Sequence, residues 1–395
     1  MNACVKCFIW QMKTHRIKPH ASQCLKLAYR GVCKTTLNLP LVFNICSWEM
    51  ATDVSVVMPV YNGEQWLAES LQSVYDQEFQ GSMELSIYND ASTDKSMELI
   101  KEWADTLRTK DIKVTISENT SDSPRGVGFA KNQAIQASSG RFLCFLDADD
   151  VMHKERVAHQ YQAAVSHPKS IVGSKFHRLP EGSTQRYTNW ANTISQEQLY
   201  TQMYTSHGPT VLMPTWFCSR DLYKKVGGFD EGGKGVPEDL IFFYRHLELG
   251  GGLFRVDKDL VMYRYHPQAT TFSIHEDTIW ERRVAAIQSQ VLSKWSCFTI
   301  WNAGKQGRKL YRSLSKENQK KVIMFCDVDE KKIKSGVYVF QESKEKPKPT
   351  VPIMHFSKGT KPFLICVKMD MTEGKLEQNI KSLNLKEGVD FFHFN

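Results

Sequence analysis

Regular apolar patterning starts at residue 53. Val54–Val60 (VSVVMPV) is an unbroken apolar run of strand length, the mark of a strand covered on both faces. Tyr61, Asn62 and Gly63 interrupt it, and Trp66, Leu67, Leu71 and Val74 then recur at helical spacing, predicting a helix over 65–75. The same change of period repeats three times. Strands are predicted over 83–88, 113–117 and 141–146, with helices over 96–107 and 127–137 between them. A βαβαβαβ alternation predicts a mainly parallel sheet with right-handed crossovers and flanking helices.

Past residue 151 the pattern loosens. Helical stretches are predicted over 153–165, 196–204 and 240–249, and a glycine-rich turn over 227–235. The segment 276–321 reads as helical, with one apolar stripe of Ile279, Val284, Ile287, Val291, Trp295 and Phe298. A second, smaller α/β unit is predicted from 322 to 395. Its strands are 322–326, 352–356 and 363–367, its helix is 374–383, and 342–350 is a surface loop. No Gly-x-Gly-x-x-Gly follows the 322–326 strand, so no dinucleotide is assigned to this unit.

Charge changes the picture only at the N-terminus. Of the chain's net charge of +8, residues 1–49 carry +6, from seven Lys or Arg against Glu49 alone. That extension is read as a disordered leader, with Met50 as an alternative start and a mitochondrial transit peptide as the second reading. Cys4-x-x-Cys7 is half of a zinc pattern with no second pair at finger spacing. Cys144, Cys218, Cys297, Cys326 and Cys366 lie among apolar neighbours and read as reduced thiols. No apolar run approaches the roughly 18–20 residues of a membrane span. The expectation is a cytoplasmic protein with no anchor. A basic run from Lys305 to Lys321 faces phosphates or is simply a solvated helix face.

Two polar strand ends carry candidate chemistry. Phe145-Leu-Asp-Ala-Asp-Asp150 puts Asp147, Asp149 and Asp150 on one tight turn, where their mutual repulsion must be offset by a cation. A divalent ion bound to a diphosphate would do so. The alternative is an acidic cap on the helix that follows. Asn89-Asp90-Ala-Ser-Thr-Asp94 is the second strand end, with Asp94 read as a helix cap.

Taken in order, Val57-Met-Pro59-Val-Tyr61-Asn62, Asn89–Asp94, Gly128-Phe-Ala-Lys131-Asn132, Phe145–Asp150 and Glu238-Asp239 resemble the motifs of the inverting family-2 glycosyltransferases of GT-A fold. The resemblance implies a UDP-sugar donor and Mn²⁺ or Mg²⁺. It implies donor contacts from Pro59, Tyr61, Asn62, Asp90, Lys131 and Asp147, and metal and diphosphate contacts from Asp147, Asp149 and Asp150. It makes Asp239, beside Glu238, the general base. Asn89 stands where Asp is frequent and Lys131 where Arg is frequent, which keeps the charge and loses the bidentate fork. His266 or His275 completes the metal or diphosphate site in some relatives, and either is otherwise structural. Trp216 and Phe217 stack on an acceptor or belong to the core.

The tail 362–395, joined to this domain, resembles the branch of the family that galactosylates queuosine in tRNA. That implies UDP-galactose as donor and a tRNA anticodon nucleoside as acceptor. Two further classes stay open: an enzyme that uses UDP-N-acetylglucosamine on a glycan or protein, and a catalytically silent scaffold.

Overall fold

The structure, a computed structural model, describes residues 52–369 and 371–395. The expected leader, with its Cys4–Cys7 pair and the alternative start at Met50, lies outside the described residues. Five strands open the order, β1 (Val54–Val60), β2 (Met83–Asn89), β3 (Lys113–Glu118), β4 (Phe142–Phe145) and β5 (Val151–Met152). Helices α1 (Leu67–Tyr75), α2 (Ser96–Arg108) and α3 (Val127–Gln136) make the crossovers, and α4 (Arg156–Ser166) follows β5. Then come β6 (Ser170–Leu179), α5 (Gln185–Thr193), β7 (Phe217–Ser219), α6 (Arg220–Val226), α7 (Glu238–Glu248) and β8 (Gly252–Arg264). These strands form one sheet of order β3-β2-β1-β4-β7-β6-β8-β5.

The first four strands run parallel. β7 is antiparallel to both β4 and β6, and β5 to β8. The sheet is therefore mixed and mainly parallel, with flanking helices, as the alternation predicts. Every residue of β1 is buried, which is why its sequence is unbroken apolar.

After α8 (Glu276–Gln290) the structure departs from expectation. Residues 276–321 are not a helical connector: Phe298–Trp301 is a fully buried strand, β9. Helices α9 (Lys305–Ser313) and α10 (Lys316–Lys321) follow it, then β10 (Val322–Asp327), β11 (Val337–Val339), β12 (Thr350–His355), β13 (Phe363–Ile365) and β14 (Phe391–His393). The second sheet has the order β11-β12-β10-β9-β13-β14 and is parallel except for β11 against β12. A short apolar run cannot be told from a helix stripe by period alone, and Phe298 continues the stripe of α8 in phase.

This corrects the ground on which the second unit is set apart from nucleotide folds. Asn302-Ala-Gly304-Lys-Gln-Gly307 follows the first strand of a doubly wound order, with Asn302 at φ +111°. A Cβ on Gly307 would lie 1.9 Å from the Asn302 carbonyl oxygen, so only glycine lets the helix pack there. The crevice is stitched by its own groups. Asn302 Nδ2 donates across to the Cys366 carbonyl at 2.8 Å, and Asp327 accepts from the Ala303 and Val328 amides and from Lys332.

One hydrophobic cluster runs through both sheets, from Leu143, Trp216 and Phe243 to Phe298, Ile300 and Phe325. Trp216 and Phe217 are fully buried, and the Trp216 Nε1–H donates to the Val211 carbonyl at 2.8 Å. They are core, not an acceptor platform.

Candidate active site

The expected site residues gather at the carboxyl ends of β1, β2 and β4, where open α/β sheets bind ligands. Pro59 is buried and pairs in register with Tyr88, and Val60 pairs with Asn89. Tyr61, just past β1, leaves its ring 52% exposed. Asn62 adopts φ +49° and accepts from the Thr93 amide at 2.8 Å, while its own amide donates to Ser92 Oγ. Asp94 accepts from the Ser96 and Glu64 amides, so it serves the turn as the cap reading expects.

Asp90 is buried and its carboxylate is spent on the chain. It accepts from the amides of Arg125 (2.9 Å) and Gly126 (2.7 Å) and from Asn119 Nδ2 (2.9 Å). It shapes the loop between β3 and α3 that walls the site. Its neighbour Asn89 buries an Oδ1 with no hydrogen-bond partner among the described residues.

That loop sets the position of the catalytic candidates. Gly126, at φ +101°, lies so close to the glycine-rich loop that a Cβ would come within 2.9 Å of Gly233 Cα. Asn132 on α3 fastens the other end, accepting from the Phe229 amide and donating to its carbonyl, both at 3.0 Å. The loop delivers Glu238 and Asp239 to the first turn of α7, where the helix dipole favours carboxylates.

Two of the expected acids meet at one buried ammonium, that of Lys131. Lys131 Nζ lies 3.1 Å from Glu238 Oε1 and 3.7 Å from Asp147 Oδ1. Burial pushes the Lys131 pKa down, but Asp147, Glu238 and Asp239 outweigh it, and the amine stays protonated. Burial, then the charge of Glu238, pushes the Asp239 carboxyl up to about 7 against the pull of Lys131. Its Oδ1 accepts from the Leu240 amide at 2.7 Å. Burial likewise raises Asp147, against the pull of Lys131.

The acidic turn divides in two. Asp150 is fully buried, with Oδ1 accepting the Arg264 amide at 2.9 Å and Oδ2 without a partner among the described residues. Burial and the two neighbouring carboxylates hold its pKa well above the usual range. It faces inward and props the turn, so the structure does not bring it to the same point as Asp147 and Asp149. Asp149 Oδ2 sits 2.7 Å from His266 Nε2, whose ring lies 4.2 Å from that of Trp66. His275 is elsewhere, capping α8.

Among the described residues no three His, Cys, Asp or Glu groups converge on one metal position. A divalent ion often keeps only one or two carboxylates and takes the rest from phosphate and water, and the Asp149–His266 pair, with Asp147 Oδ1 ion-paired to Lys131 but accepting no hydrogen bond among the described residues, suits that demand. Part of the offsetting charge is already supplied by protein. Lys131 is one such cation. The fully buried Arg156 is the other, donating to the Phe145 and Pro214 carbonyls under the turn. Sequence reasoning missed Arg156, Arg264 and Trp66. Arg264 has a signal in hindsight, two residues before His266.

The basic run is also divided. Lys309 pairs with Asp277 at 2.9 Å, Lys316 with Glu345 at 3.0 Å, and Lys321 donates to the Leu292 carbonyl. Lys305, Arg312 and Lys320 point outward.

With this geometry in hand, the sequence can be placed. Residues 55–227 match Glycosyl transferase family 2. That match spans under half of the chain and ends before Glu238 and Asp239. The mixed sheet with its flanking helices is the GT-A architecture. An uncharacterized glycosyltransferase of Rickettsia typhi is 27% identical over 231 residues, 55% of this chain and 65% of that one. Poly(ribitol-phosphate) beta-N-acetylglucosaminyltransferase TarS of Staphylococcus aureus is 32% identical over 102 residues, 26% of this chain and 17% of that one. Glycosyltransferase GlyA of Streptococcus pneumoniae is 26% identical over 147 residues, and this chain spans only 20% of its length. The solved structure of TarS residues 1–349 with UDP-GlcNAc aligns at a TM-score of 0.47 and 19% identity, over 67% of this chain and 71% of that chain.

Proposed function

We propose that the chain transfers galactose from UDP-galactose, with inversion, to the queuosine nucleoside of a tRNA anticodon. The observation that carries the enzymatic part is the meeting of Asp147 and Glu238 at the buried Lys131 ammonium, with Asp239 next in sequence to Glu238, in a chain whose residues 55–227 match family 2. Asp239 accepts the proton of the attacking hydroxyl as it adds to the anomeric carbon from the face opposite UDP. A carboxyl poised near 7 suits that role at neutral pH. Lys131 holds Glu238 and Asp147 in place and supplies fixed positive charge. Tyr61, Pro59 and Asn62 receive the nucleoside end, with Asp90 shaping the wall behind it. Asp149 and His266 would hold Mn²⁺ or Mg²⁺, which when bound supplies Lewis-acid stabilisation of the departing diphosphate.

The acceptor and donor rest on the resemblance of the tail. Among the described residues no helix is long and apolar enough to cross a membrane. The deciding experiment incubates the protein with tRNA, divalent metal and each UDP-sugar, then weighs the tRNA nucleosides. A hexose added to queuosine from UDP-galactose alone is the expected result. A β-1,3-N-acetylglucosaminyltransferase acting on a glycan or protein is the second reading, favoured by the 102-residue similarity to the N-acetylglucosaminyltransferase of S. aureus. Release of UDP from UDP-N-acetylglucosamine with a glycan acceptor, and none with tRNA, would select it.

A further inference from the structure

Beside the acidic turn lies a guanidinium that the site described so far does not use. Arg178, on β6, stands in register with Tyr263 on β8, and the next pair is Leu179 with Arg264. Arg264 is the residue whose amide holds Asp150, so Arg178 is one register step from the clamp on the catalytic turn. Its Cζ lies 3.9 Å from the Tyr263 ring centre, 5.4 Å from that of Tyr265 and 5.7 Å from that of Tyr187. Aromatic faces stabilise the charge but leave the N–H donors unspent. Among the described residues Arg178 forms no ion pair, and its Nε is shielded from water with no acceptor. A shielded, unmet guanidinium donor is costly, and an anion removes the cost.

The surroundings say what kind of anion. Tyr265 is 38% exposed and Phe272 57% exposed, their ring centres 5.7 Å apart. Tyr265, against which Phe272 packs, borders an open cleft of about 360 Å³, lined also by Trp66, Leu179 and His266. That volume is in the range of small-ligand sites. Exposed rings beside a guanidinium are the elements with which proteins hold unpaired nucleotides, a base on a ring face and a phosphate on arginine. The acids nearby do not oppose this: Asp149 faces His266, and Asp150 is buried.

We propose that Arg178 with Tyr265 and Phe272 forms the acceptor subsite, receiving one nucleotide of a single-stranded RNA, its phosphate on Arg178 and its base on the exposed rings. The proposal rests on the acceptor reading above for its place in the reaction, but not for its binding test. Arg178 is a substrate-binding residue here, not a proton carrier.

The test titrates the full chain against a fluorescein-labelled single-stranded RNA heptamer, and against an abasic heptamer, over a range of salt. Arg178→Ala should weaken binding about tenfold and lower the slope of log K against log salt by about 0.7, the loss of one phosphate contact. Phe272→Ala, at an exposed ring, should weaken binding to the heptamer by about fivefold or more and leave the abasic oligonucleotide unaffected. Circular dichroism and the unfolding midpoint report whether each variant is folded. Wild-type protein that does not bind the heptamer, or Arg178→Ala with an unchanged salt slope, overturns the subsite. If binding depends on Arg178 but no sugar passes from any UDP-sugar to tRNA, the transfer reading fails and the subsite stands.

Discussion

A carboxyl that titrates near neutrality leaves a mark on both rate and stability. Asp239 is raised from 3.8 to about 7 by burial and by Glu238. As the proposed base it must be ionised, so the transfer rate should climb with pH through about 7 and then level off. The folded state holds a proton in that interval that the unfolded chain releases. Stability should therefore fall as pH rises from about 4 to about 7, and Asp147 and Asp150 add to the fall with the same sign. Asp239→Asn should lower the rate by ~10²–10⁴-fold while UDP-sugar still binds, and should unfold at a higher temperature than wild type at pH 8. Calorimetry of donor binding beside a pH series of melting curves checks both. Wild-type turnover in the variant would remove Asp239 from the chemistry.

Lys131 is the converse case, a buried cation whose loss strands its partners. Lys131→Met leaves Asp147 and Glu238 uncompensated and should cost about 3–5 kcal/mol in denaturant titrations. Adding Glu238→Gln should recover part of that loss, because the two residues share one contact.

At the level of elements, the packing of α3 against the glycine-rich loop decides where the base sits. A Cβ at Gly128 would lie 2.1 Å from the Asp230 carbonyl oxygen and 3.2 Å from Glu238 Cβ. Gly128→Ala must push that loop outward and carry Asp239 with it. We expect a rate loss of about 10²-fold with near-native circular dichroism, since a displacement of an ångström suffices. A variant with wild-type kcat would show that the loop sets nothing.

The same scale explains what could be read in advance. β1 to β4 and their helices were legible because a doubly covered strand must be apolar throughout. β6 and β8 were not, although β8 runs for 13 residues, since its burial follows no strict alternation and charged side chains such as Arg255 and Asp257 interrupt it. The acids of the turn could be found by their repulsion, but their separate fates could not. Asp149 turns to His266 and Asp150 inward because Arg264 arrives from a strand over a hundred residues away, a pairing that no local pattern encodes.

Across the whole molecule, the two sheets are bound by shared apolar core and by a buried arginine. Arg283 on α8 donates to the Tyr204 carbonyl at 2.7 Å and to the Asn395 carbonyl, and Trp280 packs edge-on against Phe394 at 5.2 Å. The described residues form one compact unit. Scanning calorimetry of that segment should therefore give a single transition, and Arg283→Met should lower it as a whole. Two separable peaks would show instead that the second sheet is an independent body.

The near-contact of Gly126 with Gly233 ties together groups that the sequence holds far apart. Asp90 grips the Gly126 amide, Gly126 abuts Gly233, and Gly233 lies on the strap that ends in Asp239. No side chain cushions the step from Gly126 to Gly233, so a displacement of the Gly126 loop is passed along bare backbone toward Asp239. On the proposed reading, donor binding at that end should precede arming of Asp239, so the kinetics should show the sugar nucleotide entering first and UDP leaving last.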